Sequence, residues 1–154
     1  MTLLTPEITA WVGQSIEFFS DPVTEGEIRR FVAASEDPNP AYLSSGDQPP
    51  IQAPPMLYYA ITRPFVAGSE FAEDGTVFEH RPMIGKGQAM GGSVEVEWLR
   101  PIRLDDRLRG VRTLASLNEK QGNRMHFVIA EWVTEYFDQK EDLVVRERYE
   151  QILF

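Results

Sequence analysis

The apolar positions of this chain change period close to residue 92. Ahead of it, Ile8, Trp11 and Val12, and then Ile28, Phe31 and Val32, recur at the three- and four-residue spacing of one helical face. Beyond it, Val94, Val96 and Trp98 alternate with Ser93, Glu95 and Glu97, the spacing of a strand with one buried side. Thr5, Pro6 and Glu7 signal the start of a first helix: a capping hydroxyl, a proline where no N–H is needed, and an acid in the first turn. Gly13 can end that helix in a left-handed conformation. Residues 15–19 predict a strand, which Asp21 and Pro22 break. Thr24 and Glu27 have capping-box spacing for a second helix, and Pro38 keeps that helix from passing Asp37.

Residues 38–55 predict an extended loop, because prolines at 38, 40, 49, 50, 54 and 55 fix its backbone and remove ladder donors. So long a loop with so little freedom suits a shaped functional surface. The apolar run over 56–65 predicts a buried helix, with Pro54 and Pro55 at its start. Glycines at 75, 85, 87, 91 and 92 make residues 68–92 a long flap or lid with a disordered middle at 70–75. Strands are predicted over 93–98, 107–116, 125–136 and 143–153, with turns at 118–123 and 138–142. A helix-rich first half followed by an antiparallel meander is an α+β pattern. At 154 residues, one domain over 1–154 is expected.

Charge and composition narrow the function. Fifteen basic against 24 acidic residues give a net charge of −9, which argues against a nucleic-acid partner. The chain has no cysteine, so disulfides, thiolate catalysis and zinc–cysteine sites are excluded. No apolar run approaches membrane-spanning length, and the first residues lack a basic region followed by an apolar core, so a cytoplasmic protein with no membrane partner is expected. His80 and His126 lack metal-ligand spacing and suit structural or solvent roles, so no metal site is expected. Gly85-Lys86-Gly87 and Gly91-Gly92 lack the strand–loop–helix order of a phosphate cradle, and flap flexibility explains them better.

Four stretches then resemble one family. Ser35-Glu36-Asp37-Pro38-Asn39-Pro40-Ala41-Tyr42 resembles the Ser-Gly-Asp-x-Asn-Pro-Leu-His signature of MaoC-like (R)-specific enoyl-CoA hydratases and 3-hydroxyacyl thioester dehydratases. Ile51-Gln52-Ala53-Pro54-Pro55-Met56 is similar to their approach to a central helix. Glu97-Trp98-Leu99-Arg100-Pro101-Ile102, followed by Asp105-Asp106-Arg107-Leu108, resembles their Phe-x-x-Pro-Val-x-x-Gly-Asp strand and turn, and Tyr136-Phe137-Asp138-Gln139 with Leu143-Val144-Val145 their final hairpin. The resemblance is closest to the N-terminal, non-catalytic-half subfamily. It implies a hotdog fold, an antiparallel sheet wrapped around one long helix, and an acyl-CoA or acyl carrier protein thioester as substrate, with no cofactor.

Hydrating an enoyl thioester adds the hydroxyl of one water at C3 and a proton at C2, and negative charge develops on the thioester oxygen in between. The resemblance implies an aspartate and histidine that work the water as general acid and base, and a backbone N–H at the central helix that holds the oxygen. Asp37 matches the aspartate and Asn39 the asparagine that shapes the loop. Tyr42 stands at the histidine position, and a phenol with an ordinary pKa near ~10 is a poor proton shuttle. The family's His-Gly-Met oxyanion sequence becomes Pro54-Pro55-Met56, and Pro55 has no N–H to donate. Asn39, Tyr42, Pro54, Pro55 and Met56 are the expected substrate-binding residues. Asp37 serves equally well as a loop bridge before proline. Three functions stay open: the acyl-binding subunit of a thioester hydratase or dehydratase, a self-sufficient hydratase using Asp37, and a non-catalytic acyl-thioester-binding module. The first implies a heterodimer or heterotetramer with a catalytic MaoC-like subunit, and a homodimer when the chain is alone.

Overall fold

The computed structural model describes residues 2–50, 52–63, 67–70, 81–122 and 125–154. The first two helices begin where their capping residues stand. At α1 (Pro6–Thr9) the Thr5 hydroxyl accepts the Ile8 N–H. At α2 (Glu25–Ser35) Glu27 donates its N–H to the Thr24 hydroxyl at 3.2 Å, and the Thr24 N–H donates to the Glu27 carboxylate at 2.8 Å. Glu36, at φ 52°, closes α2 in the left-handed region, ahead of the Asp37-Pro38 break.

Five strands, β1 (Ser15–Phe19), β2 (Ala89–Trp98), β3 (Arg109–Gln121), β4 (His126–Phe137) and β5 (Leu143–Leu153), form one antiparallel sheet in the order β1-β3-β4-β5-β2. The helix α3 (Leu57–Ile61) lies against one face, the α+β hotdog arrangement. Alternation along β4 decides which face is which. Val128, Ala130, Trp132, Thr134 and Tyr136 are buried, and the odd-numbered residues between them are half-buried. The buried face holds two apolar clusters. One gathers Leu57 and Tyr58 with Tyr136, Val144 and Val145, and with Val23 and Ile28 from the α2 region. The other joins Leu114, Trp132, Leu153 and Ile84 under Leu3, Leu4, Ile8 and Trp11.

Three predicted boundaries move by more than two residues. The helix expected over 56–65 is a five-residue helix, Leu57–Ile61, closed where the Thr62 hydroxyl and N–H both donate to the Tyr58 carbonyl; residues 64–66 lie outside the described part. Strand β2 starts at Ala89, not residue 93, because Gly91 and Gly92 sit at a register irregularity and hide the alternation. A Cβ on Gly92 would meet the Glu150 carbonyl at 2.9 Å, so close approach requires glycine there. Strand β3 runs to Gln121, well into the turn expected at 118–123. An irregularity between Leu114 and Ser116 shifts its inward phase, and polar Asn118 to Lys120 then read as a turn.

The flap over 68–92 also needs correction. Its end is docked: Ile84 is in the core, Gly85 packs on the backbone of Phe154, and Gln88 and Phe154 exchange both backbone hydrogen bonds. The disordered middle placed at 70–75 is outside the described residues, apart from Glu70, which ends a 3₁₀ turn, Gly68–Glu70.

One ion cluster ties the loop after β2 to the β4–β5 hairpin. The Arg100 guanidinium donates to Asp106 at 2.8 Å, to Asp138 at 2.6 Å and to its neighbour Pro101's carbonyl at 2.7 Å. Asp106 also accepts the Arg103 N–H, and Asp138 accepts the N–H groups of Lys140 and Asp142. Burial pushes the Asp138 carboxyl up, but Arg100 and those two N–H groups outweigh it, and the net pKa lies below the ordinary carboxylate value. A carboxyl depressed in the fold contributes stability that is fully present above its unfolded pKa and lost as pH falls through the folded one. Asp138→Asn is therefore expected to cost about 3 kcal/mol at pH 7, as for one partner removed from a buried pair. Urea titrations should show that loss constant at neutral pH and shrinking below the ordinary aspartate pKa of 3.8.

Candidate active site

The segment that carries the resemblance is wound by its own side chains. Asp37 Oδ1 accepts the Asn39 N–H at 3.0 Å, and Asn39 Oδ1 accepts the Ala41 N–H at 3.0 Å. These consecutive side-chain turns fold Pro40–Tyr42 into a single 3₁₀ turn inside the loop predicted to be extended. The Gln52 N–H donates to the Ala41 carbonyl and closes the two arms of the loop. The Ala53 N–H donates to Ile102 at 2.7 Å and hangs the second arm on the Arg100 loop.

Each predicted residue can now be placed. Asp37 and Asn39 are half-buried and adjacent. Tyr42 is 6% exposed and belongs to the α3 cluster, and its hydroxyl has no hydrogen-bond partner among the described residues. Pro54 is buried and Pro55 exposed, with the Pro55 carbonyl accepting the Trp98 indole N–H at 3.1 Å. Met56 is exposed rather than in the core, and its N–H has no acceptor among the described residues, while the Leu57 N–H is taken by Pro54. His126 is held by Glu119 at 2.8 Å, far down the sheet from this loop in register, and His80 is outside the described residues. Among the described residues no three of the histidine, aspartate and glutamate side chains group to hold a metal.

Two features were not foreseen. A shallow pocket of about 260 Å³ lies between the helix approach and the end of β2, lined by Gln52, Ala53, Pro55, Trp98, Leu99 and Ile102 among others. The signal for it was Trp98 sharing the inward phase of Val94 and Val96. Behind Tyr42, the Tyr58 hydroxyl donates to the buried Glu147 carboxylate at 2.8 Å, and the Tyr58 ring meets Tyr136 edge-on with centroids 4.9 Å apart. Burial, and then the bond and charge of Glu147, push the Tyr58 hydroxyl well above the usual tyrosine range; burial and the same charge raise Tyr136. Both phenols stay protonated at neutral pH. Glu147 was legible only as an acid on the inward phase of β5, between Val145 and Tyr149.

The sequence model of a family described as "FAS1-like, dehydratase domain region" matches residues 10–147, and the chain belongs to that family. No curated protein sequence matches the chain. Among solved structures, it is similar to a MaoC-like dehydratase from Rhodospirillum rubrum, with 20% identity, 93% of this chain and 92% of that one covered, and a TM-score of 0.66. An (R)-hydratase from A. caviae involved in PHA biosynthesis gives 21% identity, coverage of 93% and 96%, and a TM-score of 0.63. The ChsH1-ChsH2 complex from Mycobacterium tuberculosis gives 17% identity, coverage of 96% and 87%, and a TM-score of 0.68. At these identities the likeness shows the fold.

Tyr58→Phe should leave the buried Glu147 without its donor and lower stability by about 1–3 kcal/mol. Adding Glu147→Gln should recover part of that loss, because a neutral amide is cheaper to bury unpaired than a carboxylate. Urea midpoints at unchanged m-value are the measurement.

Proposed function

We propose that this chain is the acyl-binding subunit of a thioester hydratase or dehydratase, acting on a trans-2-enoyl thioester or its 3-hydroxyacyl product, and that a second MaoC-like chain supplies the general acid and base. The observation that carries this reading is the state of the site loop. Its scaffold is complete, with Asp37 and Asn39 wound in register, yet Tyr42 is turned into the core and Pro55 presents a carbonyl, not an N–H, at the helix approach. Losing a general acid or base costs on the order of 10² to 10⁴ in rate, and losing one oxyanion donor about 10² to 10³. The family match supports dehydratase chemistry, and the similar fold in a complex named for two chains supports a partner. Trp98, Leu99 and the Gln52–Pro55 arm would form one wall for the acyl thioester.

One observation favours a second reading, a self-sufficient hydratase. The Met56 N–H, which has no acceptor among the described residues and lies one residue beyond Pro55, would take the oxyanion while Asp37 works the water.

Co-expression with a catalytic MaoC-like chain encoded beside it should give one complex by size exclusion that hydrates crotonyl-CoA. If the two elute separately and the neighbour alone is fully active on bulky acyl thioesters, the subunit reading fails. Within this chain, Tyr42→His alone should give no appreciable hydration, and Tyr42→His with Pro55→Gly more than either. A single Tyr42→His variant turning over at the roughly 1 to 10³ per second of ordinary enzymes would refute the oxyanion reasoning.

A further inference from the structure

Residues 2–12 lie across the inner face of the sheet as a strap fixed at its two ends. At one end Gly13, with φ at 86°, donates its N–H to the Leu114 carbonyl at 2.8 Å, and the Gln14 carbonyl accepts the Leu114 N–H at 3.1 Å. At the other end a single carboxylate is the latch. Glu119 accepts the Thr2 hydroxyl at 2.6 Å and the Leu3 N–H, and His126 Nε2 lies 2.8 Å from the oxygen that takes Leu3. Between these points, the hydrogen bonds of Leu4 to Ala10 among the described residues all close within residues 2–14. The strap meets the sheet through Leu3, Leu4, Ile8 and Trp11, each half-buried, which pack on the second apolar cluster.

The floor under the strap is hydrocarbon except at one side chain. Of its buried members Ile84, Leu114, Val128, Ala130, Trp132 and Leu153, Trp132 alone carries a polar atom beyond the backbone. Trp132 is 2% exposed, and its Nε1 is buried with no hydrogen-bond partner among the described residues. An indole N–H can only donate, so it needs an acceptor, and burial without one is costly. Two charges of opposite sign flank it on the same face. The Arg112 guanidinium lies over the Trp132 ring, 4.2 Å from its centroid, and Glu147 stands diagonally opposite, in register with Thr134. A cation or an anion placed here would meet its like charge, whereas an uncharged oxygen would not. We propose that the strap is a lid over a site for an alkyl chain that bears an uncharged acceptor oxygen. Glu119 latches the lid, the oxygen accepts from Trp132 Nε1, and the chain replaces Leu3, Leu4 and Ile8 on the floor. This site is distinct from that of Asp37 and Pro55, whose neighbours Tyr42, Ala53 and Leu57 belong to the first cluster, and it does not rest on the subunit reading.

The probe is 2-octanone, with octanoate as the charged comparison of equal carbon count. Each is titrated into the full chain while the Trp132 indole N–H resonance is followed by NMR, assigned by its loss in Trp132→Phe. Addition of 2-octanone should shift that resonance, and octanoate should bind at least roughly tenfold more weakly, because its charge has to be buried. Glu119→Gln removes the charge that holds Thr2 and Leu3, so exchange of the Trp132 indole N–H with solvent should quicken roughly tenfold. The apparent affinity for 2-octanone should rise by the same factor, since binding needs the open strap. Asp47→Asn, at an exposed acid outside the latch, should change neither reading. If circular dichroism shows Glu119→Gln unfolded, Thr2→Val, which removes one latch bond, should move both readings several-fold in the same direction. The proposal is overturned if 2-octanone leaves the Trp132 resonance in place, if octanoate binds as tightly, or if the folded latch variant exchanges and binds as the wild type does. Neither probe is a thioester, so the result stands apart from any hydration of crotonyl-CoA.

Discussion

The guanidinium of Arg100 bridges Asp106 and Asp138, and the geometry of the site depends on that bridge. It fixes the loop after β2 to the hairpin between β4 and β5, two parts of the chain that, among the described residues, share no backbone–backbone hydrogen bond there apart from Leu99 N–H to Val144. The loop so held presents the Ile102 carbonyl to Ala53, and Ala53 sets Pro54, Pro55 and the start of α3. A bond of 2.7 Å between backbone groups is therefore only as well placed as the ion cluster beside it. Removing either acid would leave Arg100 partly unpaired in a largely buried setting, the costly case for a buried charge.

The second constraint lies under the helix. A five-residue helix makes too few hydrogen bonds to hold itself, and tertiary contacts must supply the rest. Leu57 and Tyr58 do so, and Tyr58 adds a hydrogen bond to Glu147 across the sheet interface. Tyr42 belongs to the same cluster and packs there. In the proposed subunit, scaffold and chemistry would be separated: the loop keeps the turns of Asp37 and Asn39, and Tyr42 packs in the core.

Local signals were the legible ones. Thr5, Thr24 and Glu27 placed two helix starts, and the strands Ser15–Phe19 and Leu143–Leu153 were readable at both ends, because caps and alternation act within a few residues. The Asp37 bridge before proline was likewise written in adjacent residues, while the 3₁₀ turn Pro40–Tyr42 was hidden by the prolines that made the loop read as extended. What escaped has a common cause. Gly91 and Gly92 hid the start of β2 and a register shift hid the end of β3, since each breaks the period that reveals a strand. The flap expected over 68–92 was read chiefly from its glycines, while Ile84 and the Gln88–Phe154 bonds that dock its end depend on residues at the far end of the chain. Tyr58 and Glu147 are 89 positions apart, and only the antiparallel order β1-β3-β4-β5-β2 brings them together.

The central claim is that this fold holds an acyl thioester without completing the chemistry. Incubating the purified chain alone with crotonyl-CoA, and following the enoyl group to exhaustion, tests it most directly. The expected result is hydration at least about 10² slower than an ordinary enzyme's, the cost of one missing catalytic group. Turnover by the unaided wild-type chain at roughly 1 to 10³ per second would contradict it.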